Sequence, residues 1–180
     1  MQENKFLTSK AALITLLIGS FVVFVSMGIR QTYGLFFQFF ENDLNISNTF
    51  FGLAIGVQAI VWGVFATIFG IIADKYGANK VTIVALLVYA FGIYALGNLN
   101  STGFLFQLNL GIFVGIGLGG AAAPIIVPTV AKHFPNHNRA KAAGLVTASA
   151  SVGMFLYPIL SSVLFKYYEW QYVFNIFVFI

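Results

Sequence analysis

The chain has 180 residues, 59% hydrophobic and 8% charged, with a net charge of +4 and no cysteine. A water-soluble domain carries roughly 25% charged residues, so an ordinary soluble globule is excluded. The absent cysteines exclude disulfides, thiolate metal sites and cysteine nucleophiles, and the basic residues lie singly between apolar runs, which fits membrane topology and not a nucleic-acid surface.

Residues 1–10 form a polar tail with Lys5 and Lys10. From Ala11 an apolar run continues to Phe40, too long for a signal peptide, and predicts a first membrane helix over 11–40. Thirty residues rise about 45 Å against a hydrocarbon core of roughly 30 Å, so this helix tilts or projects. A polar break follows at Glu41–Ser47. A second helix is predicted over 47–73 with Ser47 or Asn48 as its N-cap. The charged elbow Asp74–Lys80 leads to a third helix over 81–96 and a turn at 98–102. A fourth helix is predicted over 103–131, a basic loop with a helix-stopping Pro135 over 132–139, and a fifth helix over 140–165.

A sixth apolar segment starts at Trp170. Its eleven residues, 170–180, rise only about 16 Å, whereas a span needs about 20 residues. It is read as the incomplete sixth helix of a longer protein. Residues 11–180 would then be an N-terminal transmembrane bundle whose C-terminal half is absent. Under this topology Lys5, Lys10, Lys75, Lys80, Lys132, Arg139 and Lys141 share one side, and Lys166 alone sits in a loop on the other. The positive-inside rule makes the N-terminus cytoplasmic and puts Asp74 on that side.

Helices in lipid associate by close packing, and small residues let backbones approach. Gly52, Gly56, Gly63 and Gly70 mark the second helix, Gly111, Gly115 and Gly119 the fourth, and Ala140, Gly144 and Ala148 the fifth. Gly56, Gly63, Gly115 and Gly144 are the expected packing positions, either within the bundle or against the absent half. Pro124 and Pro128 interrupt the fourth helix and Pro158 the fifth, each removing a backbone hydrogen bond. The 17% aromatic content is assigned by default to lipid-facing and interfacial positions.

The elbow from Gly70 to Val81 resembles the loop signature of the major facilitator superfamily, which joins the second and third helices of a six-helix half. Gly70, Asp74, Lys75, Gly77 and Lys80 match it, while Ala78 and Asn79 depart, because the broad pattern has a base directly after the second Gly. Gly28-Ile29-Arg30-Gln31-Thr32-Tyr33-Gly34 is similar to the first-helix segment of bacterial monocarboxylate porters and oxalate–formate antiporter-like members. Arg139, Ala143-Gly144, Gly153 and Pro158 are similar to their fifth-helix pattern. The Gly-Pro pair of the drug exporters is absent. The resemblance implies that Gly70, Asp74, Lys75, Gly77 and Lys80 form a gate motif. Asp74, just past the second helix, would meet the N-terminus of a helix in the absent half. Independently of the name, a helix dipole there favours an anion.

Arg30 is the one charge inside an apolar run, and such a residue is a functional hypothesis by default. Its forked donors suit a carboxylate. Tyr33 and Ser26 share its face, at three and four residues' distance. Arg30 is expected either to face a cavity or to snorkel outward and pair with Glu41 or Asp43. Gln58 with Trp62, Gln107 with Asn109, and Ser149 with Tyr157 can hydrogen-bond a ligand, or tie helices together. Candidate substrate contacts are therefore Arg30, Tyr33, Gln58, Ser149 and Tyr157. His133 and His137 lack the company of a metal site. No carboxylate pair or phosphate-binding glycine loop appears, so no enzyme, metal or cofactor is expected.

The expected fold is an all-α polytopic membrane helix bundle, the N-terminal six-helix half of a major-facilitator fold. The resemblance implies secondary active transport of a small, monocarboxylate-like organic anion by alternating access, proton-coupled or by exchange. The expected partners are that anion, the lipid bilayer and the absent C-terminal half, with no nucleic acid, in a bacterial inner membrane. A facilitator of a neutral solute and a non-transporting assembly or regulatory subunit are the alternatives.

Overall fold

In the computed structural model, which describes residues 10–99 and 103–179, the chain is a bundle of helices. They are α1 (Lys10–Leu44), α2 (Asn48–Tyr76), α3 (Ala78–Gly97), α4 (Gly103–Ala131), α5 (Asn136–Leu164) and α6 (Trp170–Val178). The first five are long and apolar enough to cross a membrane, and no strand occurs among the described residues. The tail with Lys5, the turn at 100–102 and Ile180 lie outside the described residues.

The connections are tighter than the charge pattern predicts. The break at 41–47 shrinks to Asn45–Ser47. Asn45 takes the left-handed conformation at φ 54, which a short polar side chain tolerates, and the Ile46 amide returns to the Phe40 carbonyl at 3.0 Å. Ser47 caps α2 by accepting from the Phe50 amide at 3.3 Å. The elbow shrinks to one residue, because α2 runs through Tyr76 and α3 starts at Ala78. Gly77 makes that corner at φ 93, where a side chain would be strained, and its amide caps the Ala73 carbonyl at 2.9 Å. Asp74 therefore belongs to the last turn of α2 and does not lie past it. Pro135 opens α5 instead of stopping α4. The amides of Asn138 and Arg139 both donate to the Pro135 carbonyl, so Asn136–Arg139 are helical and not loop. The loop shrinks because charge and amide side chains are as much at home in a first helical turn as in a loop, and charge alone does not end a helix.

The fourth span departs most from a regular helix. Gln107–Phe113 is wound as a π-helix, with the Val114 amide donating to the Asn109 carbonyl. The Val114–Ala121 stretch then ends at Ala122, whose backbone is extended (φ −99, ψ 174), before Ala123–Ala131 resumes. α4 is also the centre of the bundle. A Cβ at Gly115 would stand 2.9 Å from Val61 Cβ, and one at Gly119 would stand 2.7 Å from Phe65 Cβ, so these glycines seat α4 on α2. Gly92 of α3 meets Phe113 and Val114, while Gly117 and Gly120 meet Tyr89 and Ala85. The α4 stripe thus packs within this chain and not against an absent half. α1 and α5 form the other close pair. Gly153 lies on the Phe24 backbone, Gly28 lies under the Tyr157 ring, and Ser149 Oγ donates to the Ser20 carbonyl at 3.0 Å.

Gly115 is a packing residue as expected from its spacing, but Gly56, Gly63 and Gly144 have nothing within 4 Å of a Cβ. Gly56 and Gly63 face away from the described residues, because α2 presents its Val57, Val61 and Phe65 side to α4, and Gly144 on α5 is exposed. Part of the aromatic content lies inside the bundle and not at the lipid boundary. Phe36, Phe40, Phe106 and Phe174 are fully buried and form an interhelical core. Phe36 stacks on Phe174 at 4.0 Å, and Phe40 meets Trp170 edge-on at 5.5 Å. Two flat rings fill the space between helices at little rotamer cost, so these phenylalanines sit inside instead of at the lipid boundary. Trp170 Nε1 donates to Asp43 Oδ2 at 2.6 Å and closes this end of the bundle.

Candidate functional site

α1 carries the candidate site. Its 35 residues have their midpoint at Met27, and Arg30 stands one turn beyond, about 5 Å along the axis. Arg30 thus lies near the middle of the helix. Arg30 is half-buried, and its guanidinium carbon lies 5.2 Å from the centroid of the Trp62 ring on α2. A cation over an indole face is attracted by the ring quadrupole, which holds the guanidinium beside Trp62. Its Nε is buried with no hydrogen-bond partner. No ion pair forms with Glu41 or Asp43, and Asp43 instead accepts from Trp170. Among the described residues Arg30 is thus a cation without a counter-ion, with planar edge donors left unused.

The remaining candidates divide into two groups. Tyr33 is buried, and its hydroxyl lies 3.4 Å from that of Tyr89, whose own proton goes to the Ser26 carbonyl at 3.0 Å. Tyr33 must therefore donate to Tyr89 and has no proton left for an anion. Ser149 Oγ shares its proton between the Ser20 and Val146 carbonyls at 3.0 and 2.6 Å. Gln58 is fully buried, and its Nε2 donates at 3.0 Å to the Leu110 carbonyl inside the π-helix. These three side chains tie helices together, because a polar atom between apolar helices takes the nearest carbonyl. Tyr157 differs. It is buried in an aromatic setting with Phe24 at 5.5 Å and Phe177 at 5.3 Å, yet its hydroxyl has no partner. Arg30 and Tyr157 are the candidate donors that remain free to bind.

Sequence reasoning missed Tyr89. It is the hub of the group: its hydroxyl meets that of Tyr33 and donates to the Ser26 carbonyl. The signal was its position as the one hydroxyl-bearing aromatic within the buried face of α3, opposite Gly117.

The elbow residues form a second, exposed feature. Lys132 Nζ lies 3.8 Å from Asp74 Oδ1, with both side chains mostly in the open. Lys75 lies 5.2 Å from its neighbour Tyr76's ring centroid, Lys80 is exposed, and Gly70 faces Ile125 of α4. Between them lies a cleft of about 470 Å³ bordered by Asp74, Gly77, Pro124, Pro128, Lys132 and His133. An ion pair this open is screened and contributes little, so Asp74 is not locked to its present partner. No group of three or more potential metal ligands occurs among the described residues.

The sequence is similar to known transporters. The chain is 30% identical over 147 residues to an uncharacterised transporter of Buchnera aphidicola, covering 80% of this chain and 34% of that protein. It is 26% identical to a probable nitrate transporter of Staphylococcus aureus, covering 70% of this chain and 32% of the relative. It is 29% identical to a hexuronate transporter of Bacillus subtilis, covering 69% and 29%. The chain thus spans about a third of the length of the curated relatives it matches. The model of the Major Facilitator Superfamily matches residues 16–180. With that match over an all-helical bundle of membrane-length spans, the chain belongs to the Major Facilitator Superfamily.

Proposed function

We propose that this chain is the N-terminal half, with its sixth helix incomplete, of a secondary transporter that moves a small organic anion, monocarboxylate-like, across a bacterial inner membrane. The observation that carries this reading is Arg30: a cation near the middle of α1 with no counter-ion among the described residues, its Nε unpaired and its guanidinium beside the Trp62 ring. An uncompensated charge in hydrocarbon is expensive, and an anionic substrate offsets that cost during the part of the cycle in which it is bound. A planar carboxylate takes two edge donors of a guanidinium. The Tyr157 hydroxyl is the second donor, on α5. Two of the relatives are named for anions, nitrate and hexuronate, which supports the charge of the substrate more than its identity.

The relatives' greater length supports a second half. In that reading the site lies near the midplane between two halves that rock around it. None of Glu41, Asp43, Asp74 and Glu169 lies mid-span, so a proton carrier, if transport is proton-coupled, belongs to the second half. The N-terminus is cytoplasmic by its basic residues. Asp74 at the end of α2 is then a cytoplasmic gate residue that exchanges Lys132 for a helix N-terminus of the second half as the gate closes.

The test is uptake of labelled lactate, oxalate, glucuronate, nitrate and glucose into proteoliposomes containing the full-length protein, with and without Arg30→Gln. The expected result is uptake of an anion that falls at least about tenfold in the variant, since the loss of a charge-assisted bidentate contact is worth roughly 1.5–3 kcal/mol. Anion uptake that survives Arg30→Gln, or uptake of glucose alone, would overturn the assignment.

A further inference from the structure

The break in α4 leaves two carbonyls without a helical donor, and each is met from a different helix. Pro124 has no amide, so the Gly120 carbonyl is freed and accepts from Thr82 Oγ1 of α3 at 3.3 Å. The extended backbone at Ala122 diverts the Ile125 amide to the Ala122 carbonyl at 3.3 Å. The Ala121 carbonyl is thereby freed too, and it accepts from Ser26 Oγ of α1 at 3.0 Å, with Ser26 fully buried. In lipid a freed carbonyl has no water to turn to, so such substitutes are required.

Ser26 is bound a second time. Its own carbonyl accepts from Tyr89 Oη at 3.0 Å. Tyr89 in turn is seated on α4, because a Cβ at Gly117 would stand 2.6 Å from Tyr89 Cα. A closed circuit results. α4 holds Tyr89, Tyr89 holds the Ser26 carbonyl, and Ser26 Oγ holds the broken end of α4. The Ser26 carbonyl also belongs to the helical turn that ends at the Arg30 amide.

We propose that Ser26 is a positioning residue that pins the Arg30 turn of α1 to the break in α4, so that bending at Ala121–Ala122 is transmitted to Arg30. Its functional consequence rests on the reading of Arg30 as the anion contact. Thr82 serves as the internal control. It meets the same break from α3, and its side-chain bond does not touch α1. Ser26→Ala should therefore loosen both the break and the Arg30 turn, whereas Thr82→Val should loosen the break alone.

Amide hydrogen exchange followed by mass spectrometry on the full-length protein in lipid nanodiscs reads this directly. Ser26→Ala is expected to speed exchange about tenfold or more in both 26–34 and 120–125. Thr82→Val should do so in 120–125 only, and Ser26→Thr, which keeps the donor, should stay within about twofold of the parent. If Ser26→Ala is not recovered in the membrane, Ser26→Cys, a weaker donor, is read in its place and should show the same joint acceleration to a lesser degree. Exchange confined to 120–125 in the Ser26 variants would overturn the proposal, as would an equal effect of Thr82→Val on 26–34. Uptake distinguishes the two readings. If Arg30→Gln leaves anion uptake intact, the substrate assignment fails while the exchange result stands. If Arg30→Gln abolishes uptake and Ser26→Ala leaves 26–34 unchanged, the coupling alone fails.

Discussion

At the scale of single residues, the chemistry of this bundle rests on which side chains still have a proton or a charge to offer. Trp62 decides this for Arg30. Without the ring, the guanidinium would be released to swing toward either end of the span, since Arg carries a long and flexible stem. Trp62→Leu is expected to weaken anion binding by about 1 kcal/mol, roughly a fivefold rise in KM for uptake, with Trp62→Phe falling between. Uptake kinetics on both variants check this, and an unchanged KM in Trp62→Leu removes Trp62 from the site. Arg30 was legible in the sequence as the one charge inside an apolar run, but its packing against Trp62 was not. Tyr33, Gln58 and Ser149 were legible as polar side chains, but the bonds that occupy them were not. The groups that take their protons belong to Tyr89's network, to the π-helix and to α1, and none of these pairings leaves a trace in local spacing.

At the scale of elements, the spans could be read from hydropathy, and their ends could not. Gly77 shows why. A one-residue corner needs only a positive φ, and the charges around it belong to helical turns on either side. In α4 the prolines announced a break, but its place was set at Ala122 by the extended backbone, two residues before Pro124. The π-helix had no visible signal. What the glycine spacing did not say was which neighbour each glycine serves, and the structure separates them into tight and open positions. Gly117→Ala would place a methyl against the Tyr89 backbone, which cannot give way. It is expected to cost about 1–3 kcal/mol as an overpacked contact. Gly144→Ala meets open space and should be neutral or stabilising by up to about 1 kcal/mol from helix propensity. Thermal unfolding of the purified protein in detergent, comparing the two variants, tests the assignment. Equal midpoints would contradict it.

At the scale of the whole molecule, the helices are unevenly buried, and α2 has an open side. α4 is the most enclosed span, while in α2 only Ala54 and Gln58 are buried. The open side of α2 is built in a particular way. Gly52, Gly56 and Gly63 are exposed and fall within a narrow sector of the helix, flanked by the exposed aliphatic residues Leu53, Ile60, Val64 and Ile71. Lipid asks only for apolar bulk, and leucine meets that as well as glycine does. A stripe of glycines beside branched side chains is instead what lets another helix approach closely. The two explanations predict opposite outcomes. If this face meets lipid, Gly56→Leu and Gly63→Leu fill open space and leave the protein unharmed. If it meets the second half of the transporter, each leucine pushes a packed helix outward, and the effects on uptake should appear although no residue near Arg30 has changed. We expect the second outcome: uptake reduced several-fold in either variant, with Ile71→Leu, a volume-conserving change on the flanking row, close to the parent. Uptake by the full-length protein, normalised to the amount in the membrane, is the measurement. Full activity in the double variant Gly56→Leu, Gly63→Leu would assign this face to lipid and place the partner half elsewhere.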